Sequence, residues 1–367
     1  MTRHATPGRS RRIYRRAILV VLVLLGCTAG ITIMWAFIKS RAPLEYEVSD
    51  HFDGRRFINP TLSEQLHPGL SDVLGMITEG RPTWPNDVAT TGSPQMDTDL
   101  DQDGMAVTFV NHATFLIQMP GVTILTDPVW SDRASPVSWS GPRRVRAPGV
   151  DFDALPAVDV VVISHNHYDH LDLPTLQRLN ARFSPQFVVP LGNRLLLESI
   201  GISEVRELDW WESIDALSGT QIVLTPAQHS SGRGLFDRGR SLWGSFFIKR
   251  GSRSLYFGGD AGYSTHFADI RERLGAPEIA LLSIGAYEPR WFMAPLHMNP
   301  AEAVIAHRDL AAGLSIGMHF GTFQVAAEGF DSPWADLADA LERHAIAPES
   351  FITFPEGDTW LVSRQGD

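Results

Sequence analysis

Metal-ligand side chains occupy four of six consecutive positions in the motif His165-Asn166-His167-Tyr168-Asp169-His170. The motif follows the largely apolar run 158–164, which is typical of a buried strand. Neutral imidazoles and carboxylates are the usual zinc ligands, and a cluster of them beside a core needs partners that replace water. In an extended segment His165 and His167 point to the same side. The motif therefore predicts a metal site, with Asp169 and His170 turned towards a second ion.

Three further candidate ligands lie elsewhere in the chain, and each directly follows a predicted strand. They are His229, Asp260, which lies in a glycine-rich turn, and His319. Open α/β sheets place their sites at the carboxyl ends of strands, so these residues are expected to meet the first motif. The motif and these three residues together supply seven side chains, as many as a two-metal site requires.

The order of these ligands, H-x-H-x-D-H followed by His, Asp and His, resembles the binuclear signature of the metallo-β-lactamase superfamily over residues 107–360. The resemblance implies two sets of ligands, bridged by Asp260: His165, His167 and His229 for one ion, and Asp169, His170 and His319 for the other. The implied cofactors are two Zn²⁺ ions, although ligands of these types also accept iron or manganese.

Further motifs resemble one branch of the superfamily, the N-acyl-phosphatidylethanolamine-hydrolysing phospholipases D and their bacterial relatives. These motifs lie at residues 51–60, 111–116, 126–128, 133–136, 141–144 and 290–293. His297 matches a histidine that the branch uses in catalysis or substrate contact. His112, in the second of these motifs, is predicted to be structural or to support a ligand from outside the metal shell.

The resemblance implies a zinc-dependent phospholipase D-type phosphodiesterase. Its implied substrate is N-acyl-phosphatidylethanolamine, which would yield phosphatidate and an N-acylethanolamine. Two ions about 3.5–4 Å apart share a water and lower its pKa towards ~7, so a hydroxide shared by both ions is the implied nucleophile. Asp169, Asp260 and His297 are the candidate catalytic residues. Asp260 would help to hold the nucleophile, and His297 would protonate the leaving group or bind the phosphate.

Two alternatives remain open at the level of the sequence. Members of the superfamily cleave many bonds, so lactones, amides or other phosphodiesters are alternative substrates. A membrane-tethered metal-binding envelope protein without catalysis is the other alternative, although a structural site is normally closed and holds a single ion. Both a monomer and a dimer are compatible with the sequence.

The first 41 residues differ in charge from the rest of the chain. They hold 8 of the 31 basic residues and no acidic residue, whereas the remainder carries 23 basic against 42 acidic residues, a formal charge of −19. An acidic domain argues against nucleic acid as a partner, because phosphate backbones repel it.

An uncharged stretch of 22 residues, 17–38, is long enough to cross a hydrocarbon core of about 30 Å as a helix. The arginines before it predict a single-pass membrane protein with its N-terminus inside and its catalytic domain outside the cytoplasm. Cys27, the only cysteine, lies in a sequence that resembles a lipoprotein cleavage box, so an exported lipoprotein is the alternative. The apolar run continues for eleven residues past Cys27, which favours an uncleaved anchor. A phospholipid membrane is the expected partner.

The chain is thus divided into a basic tail (1–16), a transmembrane anchor (17–38), a connector (39–103) and a metallo-hydrolase domain (104–367). Strands alternate with helices in the last part, which predicts a layered α/β fold. The family resemblance implies a four-layer αββα sandwich, preceded here by a single N-terminal transmembrane helix. A hairpin is predicted over 105–125, with its turn at 119–121.

The long loop 126–150 is predicted to roof the metal cleft. Its arginines, Arg133, Arg143, Arg144 and Arg146, are expected either to attract anionic headgroups or to form a solvated basic loop. Tryptophans in predicted loops indicate either partial burial or an aromatic rim that meets lipid. These are Trp130, Trp139, Trp210, Trp211 and Trp291.

Overall fold

The computed structural model describes residues 44–62, 80–96, 100–234 and 236–362, together with the single positions Tyr14, Ile18, Val21 and Gly75. Apart from two of these positions, the predicted transmembrane anchor lies outside the described residues, as does Cys27. In the part of the chain that is described, no helix combines the length and the apolar character needed to span a membrane.

Two seven-stranded sheets form the framework of the fold. The first sheet contains, in spatial order, β14 (Thr359–Val362), β1 (Met105–Asn111), β2 (Thr114–Met119), β3 (Val122–Thr126), β4 (Val160–Val162), β5 (Gln186–Pro190) and β6 (Val205–Leu208). The second contains β13 (Phe351–Ile352), β12 (Leu314–Met318), β11 (Ile279–Ser283), β10 (Arg253–Phe257), β9 (Ser245–Arg250), β8 (Thr220–Thr225) and β7 (Ser213–Ala216).

The helices described over their full length are α1 (Leu173–Phe183), α2 (Arg194–Glu198), α3 (His266–Leu274), α4 (Arg290–Met293), α5 (Pro300–Leu310) and α6 (Ser332–Arg343). Short 3₁₀ helices lie at Phe152–Ala154, Leu217–Gly219 and Pro348–Ser350. Helix α5 begins at Pro300, because Asn299 and Glu302 form a reciprocal capping box and a proline is favoured as the first helical residue.

The two sheets pack face to face over a shared hydrophobic core. Val107 and Phe115 of the first sheet join Phe246 and Phe257 of the second in one buried cluster. On the outer face of the first sheet, β4 and β5 pack with α1 and α2 around a second cluster. On the other side, α5 contacts β11 and packs against α3 and α6. The predicted α/β fold with two sheets is therefore confirmed.

The region 105–125, predicted as a two-stranded hairpin, contains a second turn and therefore three strands. Strand β1 ends at Asn111, the chain turns through His112 and Ala113, and β2 returns antiparallel to β1. His112 has a φ of 49°, a left-handed conformation that L-residues with a side chain rarely adopt. The turn places His112 at the sheet edge where the ligand-bearing strands end.

The described residues of the predicted connector pack onto the sandwich. Phe52 and Phe57 are buried in the main core, and the Trp84 indole N–H donates to the Glu328 carbonyl at 2.9 Å. His51 lies 2.8 Å from the Asp209 carboxylate through its Nε2 atom. The segment is thus tied to the folded unit, while the division of the chain into domains stays a prediction.

The pKa of His51 links the stability of this attachment to pH. Burial disfavours the charged imidazole, but hydrogen bonds to Asp209 and Asp50 outweigh burial and raise the pKa of His51. A raised pKa in the folded state stabilises the protein below the unfolded value of about 6.5, and this stabilisation is lost as pH rises through the folded value.

We therefore expect His51→Gln to lower the free energy of unfolding by about 1 kcal/mol more at pH 6 than at pH 9, because the charged hydrogen bond is lost. Urea unfolding of the full chain across this pH range measures the difference. Asp209→Asn should show the same pH-dependent loss, and the double variant should add little to either. A deficit that is constant with pH would contradict the assignment.

Candidate metal centre

The predicted ligands lie at one end of the sandwich because their strands end there. Strands β3, β4 and β5 are parallel, and the H-x-H-x-D-H motif follows β4 after a short extended stretch. In the second sheet β10, β11 and β12 are parallel, so Asp260 after β10 and His319 after β12 reach the same edge. His229 follows β8. The cleft between the two sheet edges collects all of them.

The first set of predicted ligands consists of His165, His167 and His229. One ring nitrogen from each lies within 4.8 Å of the others, and His229 Nε2 is 3.3 Å from His167 Nδ1. Burial lowers the pKa of all three imidazoles, to about 4 for His167. The rings are therefore neutral at neutral pH, as metal ligation requires.

The second set consists of Asp169, His170 and His319. His319 Nε2 is 3.1 Å from His170 Nε2 and 3.5 Å from Asp169 Oδ2. Two nitrogens bound to one tetrahedral zinc at ~2.0–2.1 Å would lie about 3.3 Å apart. The second set therefore has the spacing of a metal-ligand group.

The Asp260 carboxylate lies between the two sets. Its Oδ2 atom is 3.1 Å from His170 Nε2, 3.2 Å from His319 Nε2 and 3.8 Å from His229 Nε2. Asp260 Oδ1 and His165 Nε2 are buried, and neither has a hydrogen-bond partner among the described residues. Buried polar atoms without partners are costly, and cations would satisfy them. The donor set fits two metal ions with Asp260 in the shared position.

The electrostatics of the cleft favour positive charge. Burial alone would raise the pKa of Asp260, but the nearby imidazoles of His170 and His319 outweigh it and hold that pKa well below its usual range. Burial would likewise lower the pKa of His319, but Asp260 and Asp169 raise it to about 9. The carboxylates thus stabilise positive charge here, whether it is carried by protons on the imidazoles or by metal cations.

One buried carboxylate and one hydroxyl fix two of the ligand rings. Asp127 Oδ2 accepts hydrogen bonds from Ser164 Oγ at 2.5 Å and from His170 Nδ1 at 2.6 Å. Because the Ser164 hydroxyl proton points to Asp127, His165 Nδ1 donates to Ser164 Oγ at 2.9 Å. Both imidazoles therefore commit Nδ1 to a hydrogen bond and turn Nε2 into the cleft.

A third ring is held in the same way. His229 Nδ1 donates to the Leu296 carbonyl at 2.9 Å, which leaves Nε2 free. Asn59 holds the backbone of His229 on both sides, since its Oδ1 accepts from the His229 N–H at 3.1 Å and its Nδ2 donates to the carbonyl at 2.7 Å.

Sequence reasoning missed these supporting residues as parts of the site. Asp127 could have been identified from the sequence, because it directly follows β3, the strand that pairs with the one leading to His165. Ser164 could also have been identified, because it directly precedes His165 in the chain. Asn59 lies in the 51–60 motif of the family resemblance, but no local pattern links it to His229, which lies 170 residues away in the chain.

His112 supports the second set, one of the two roles that the sequence predicts for it. Its Nε2 lies 3.2 Å from Asp169 Oδ2, and its carbonyl accepts the backbone N–H of His319 at 2.7 Å. The Thr322 hydroxyl accepts the His112 N–H at 3.0 Å. Burial lowers the pKa of His112 to about 3, so a neutral ring donates to the carboxylate. His112 therefore restrains two predicted ligands at once.

His297 faces the shared carboxylate from outside both ligand sets. Its Nδ1 is 3.8 Å from Asp260 Oδ2, and its ring stands nearly perpendicular to that of His229 at 5.0 Å. Burial lowers the pKa of His297 to about 4. The three predicted catalytic residues, Asp169, Asp260 and His297, thus share one cleft.

A cavity of about 1130 Å³ adjoins the ligand motif. Asn166 and Tyr168, which alternate with the ligands, form part of its wall. Its apolar lining includes Leu44, Leu171, Leu173, Leu196, Val137 and Phe236. Residues 131–133 and 135–138 of the loop predicted to cover the metal cleft also line this cavity.

Comparisons with known proteins agree with this geometry. The family profile described as "Beta-lactamase superfamily domain" matches residues 122–320. N-acyl-phosphatidylethanolamine-hydrolyzing phospholipase D 1 of Caenorhabditis elegans is 36% identical over 334 residues, which cover 85% of this chain and 94% of the worm protein.

A mitochondrial enzyme of the same name from Saccharomyces cerevisiae is 39% identical over 219 residues, which cover 58% of this chain and 47% of the yeast protein. A metallo hydrolase from the archaeon Ignicoccus hospitalis superposes with a TM-score of 0.54 at 22% identity. That match covers 71% of this chain and all of the archaeal chain, and it shows a shared fold.

We expect His319→Ala or Asp169→Asn to reduce bound metal from two ions to about one per chain, because each change removes a ligand from one set only. Elemental analysis of the purified full chain measures the stoichiometry. His266→Ala is the matched control, since His266 is buried outside the site. Two ions retained in the ligand variants, or loss of metal in the control, would refute the ligand assignment.

His112→Ala should weaken binding of the ion held by the second set by about ten- to a hundredfold, because Asp169 loses the donor that orients it. Competition with a chelator of known affinity measures this change. His112→Gln supplies an amide N–H in the same region and should recover part of the affinity. Unchanged affinity in His112→Ala would show that the ring only fills space.

Proposed function

Because the chain belongs to the metallo-β-lactamase superfamily, in the branch of the N-acyl-phosphatidylethanolamine-hydrolysing phospholipases D, we propose that it cleaves the phosphodiester of an N-acylated phosphatidylethanolamine. It is a metal-dependent hydrolase of that superfamily. One observation supports the proposed phosphodiester cleavage: seven candidate ligands converge in a chain that is 36% identical to a named phospholipase D over 94% of that protein.

We propose zinc as the metal, since histidine-rich sets with one carboxylate suit it, with iron or manganese as alternatives. Two such ions would lower the pKa of a shared water towards ~7 and polarise a phosphoryl oxygen. The chain's part is to orient the ligand imidazoles, and burial keeps those of the first set neutral by lowering their pKa. Nδ1 of His165, His170 and His229 is engaged in a hydrogen bond, which leaves Nε2 of each ring to face the cleft, as this chemistry needs.

In the proposed reaction the oxygen of water forms a bond to phosphorus. The bond from phosphorus to the oxygen of the N-acylethanolamine group then breaks, which leaves phosphatidate. Charge develops on the leaving oxygen, so a proton must reach it. Asp260, between the two ligand sets, holds the attacking water in place, and Asp169 completes the second set.

His297 is proposed to deliver that proton. Its ring is neutral at neutral pH because burial lowers its pKa to about 4. The negative charge of a bound phosphodiester favours the protonated imidazole, so substrate binding prepares His297 as an acid. Its buried Nδ1 atom has no hydrogen-bond partner within the described part of the chain and lies 3.8 Å from Asp260 Oδ2, which makes it the candidate proton donor.

The cavity beside the ligand motif suits a lipid substrate. Its leucine and phenylalanine side chains can receive an acyl chain, and burial of apolar surface stabilises such a complex by about 25 cal/mol per Å². We further propose that residues 17–38 anchor the protein as a single-pass membrane protein with the domain outside the cytoplasm. Anchoring would raise the effective concentration of a bilayer substrate at the site. Lipidation of an exported protein at Cys27 is the alternative.

The proposal is tested with the metal-loaded full chain in detergent micelles. N-acyl-phosphatidylethanolamine, bis(para-nitrophenyl) phosphate and a panel of lactones are offered in parallel. We expect release of N-acylethanolamine. Turnover of the lactones alone would remove the phospholipase assignment, and no turnover with two ions bound would favour a non-catalytic metal-binding protein.

His297→Ala should lower kcat for N-acyl-phosphatidylethanolamine by about 10²–10³, because proton delivery to a poor leaving group is lost. Hydrolysis of bis(para-nitrophenyl) phosphate, whose leaving group needs no proton, should fall much less. Bound metal, measured in the same samples, should not change. Equal loss with both substrates would instead assign His297 to binding or to structure.

A further inference from the structure

The loop predicted to roof the cleft contains a braced hairpin, residues 131–144. The Ala134 N–H donates to the Pro142 carbonyl at 3.0 Å, and the Arg144 N–H donates to the Asp132 carbonyl at 2.9 Å. The Arg133 guanidinium also donates to the Gly141 carbonyl at 2.6 Å. Hydrogen bonds thus join the two strands at the base of the 131–144 hairpin. The residues between them, 135–142, are uncharged and form the tip.

Trp139 lies at that tip with 79% of its surface exposed. Other tryptophans of the predicted loops have partners: the Trp130 and Trp210 indoles donate to backbone carbonyls, and the Trp211 ring lies 4.2 Å from the Arg273 guanidinium. For Trp139 no hydrogen bond or ring contact occurs with any residue that the structure describes. An exposed indole on a braced loop is suited to the interface between lipid and water.

The charge around the tip complements an anionic surface. Residues 128–150 carry four arginines and one aspartate, within a chain of net charge −11. Arg144 and Arg146 are engaged internally, because Arg144 donates to the Val129 carbonyl at 3.1 Å and Arg146 pairs with Glu356. Arg133 and Arg143 flank the tip, and neither forms an ion pair with a carboxylate in the described part of the chain. Their charges are available to phosphate groups.

The hairpin also connects this tip to the cavity. Ser135 and Ser138 line the cavity, and Ser138 is the exposed neighbour of Trp139. One side of the hairpin therefore forms part of the cavity wall, while Trp139 at its tip is exposed to solvent.

We propose that the 131–144 hairpin docks the domain on an anionic phospholipid bilayer, with Trp139 among the headgroups and the cavity mouth opening onto the lipid. The purpose of the docking rests on the proposed function, because it lets an acylated lipid enter the cavity without crossing water. The docking itself is a separate property and is measured without turnover.

Insertion of the tip is measured with the full chain reconstituted in vesicles. Cys27→Ser removes the only cysteine, and Ser140→Cys then carries a solvent-sensitive fluorophore. In vesicles containing phosphatidylglycerol, spin-labelled lipids should quench this probe. A probe on Leu217→Cys should stay unquenched, because the turn that contains it contacts the β2–β3 turn at the opposite end of the strands. Adding Trp139→Ser or Arg143→Glu should remove the quenching at residue 140.

Activity in the same vesicles separates docking from catalysis. Trp139→Ser should lower hydrolysis of bilayer N-acyl-phosphatidylethanolamine by about tenfold and leave bis(para-nitrophenyl) phosphate hydrolysis unchanged. Leu217→Ser, another exposed apolar residue, serves as the control and should change neither rate. Quenching at residue 140 without any hydrolysis would contradict the proposed function but support the docking proposal.

Absence of quenching at residue 140, while hydrolysis persists, would overturn the docking proposal. Equal quenching at residues 140 and 217 would overturn it too, since the lipid contact would not be specific to the tip. If Trp139→Ser converted a dimer to a monomer in lipid-free detergent, the tip would be an interface between copies of the chain instead.

Discussion

The placement of carboxylates and imidazoles in one buried cleft is the constraint on which the rest of the structure depends. Asp260 lies within 3.9 Å of ring nitrogens from five histidines, including His297. Carboxylates without water are stable only beside positive charge, and imidazoles that ligate metals must be neutral. Cations between the two ligand sets would meet both demands. That requirement explains why so much of the surrounding chain is devoted to orientation.

The sandwich supplies the orientation by bringing the ends of strands from both sheets to one edge. Hydrogen bonds then fix each ring: Asp127 holds His170 directly and holds His165 through Ser164. A ring whose Nδ1 proton is committed can present only Nε2 to a metal. The supports come from different elements, so the site depends on the whole fold and not on the motif alone. The left-handed turn at His112 is one place where the backbone accepts strain for this purpose.

The end of the molecule that holds the polar cleft also has an apolar surface. Beside the polar cleft lies a cavity whose lining surface is mostly apolar but includes charged side chains such as Asp172 and Arg233. The hairpin that forms part of its wall exposes a tryptophan between two arginines. A polar cleft next to a largely apolar space matches the proposed substrate, which has a charged headgroup and long chains. The proposed metal chemistry and the proposed lipid access thereby belong to neighbouring but separate surfaces.

The sequence by itself determined which residues are the candidate metal ligands, because histidines and aspartates at strand ends form a dense local pattern. His165 to His170 could be read from six positions, and His229, Asp260 and His319 from the strands before them. The alternation of strands and helices likewise determined the layered fold. Local pattern could not reveal Asn59, which acts on a residue 170 positions away, or the second reversal at His112. Nor could it separate Arg144, which is buried against backbone carbonyls, from the exposed Arg143 beside it. Such differences arise only when distant segments pack together, since burial and hydrogen-bond partners are properties of the assembled chain and not of any stretch of it.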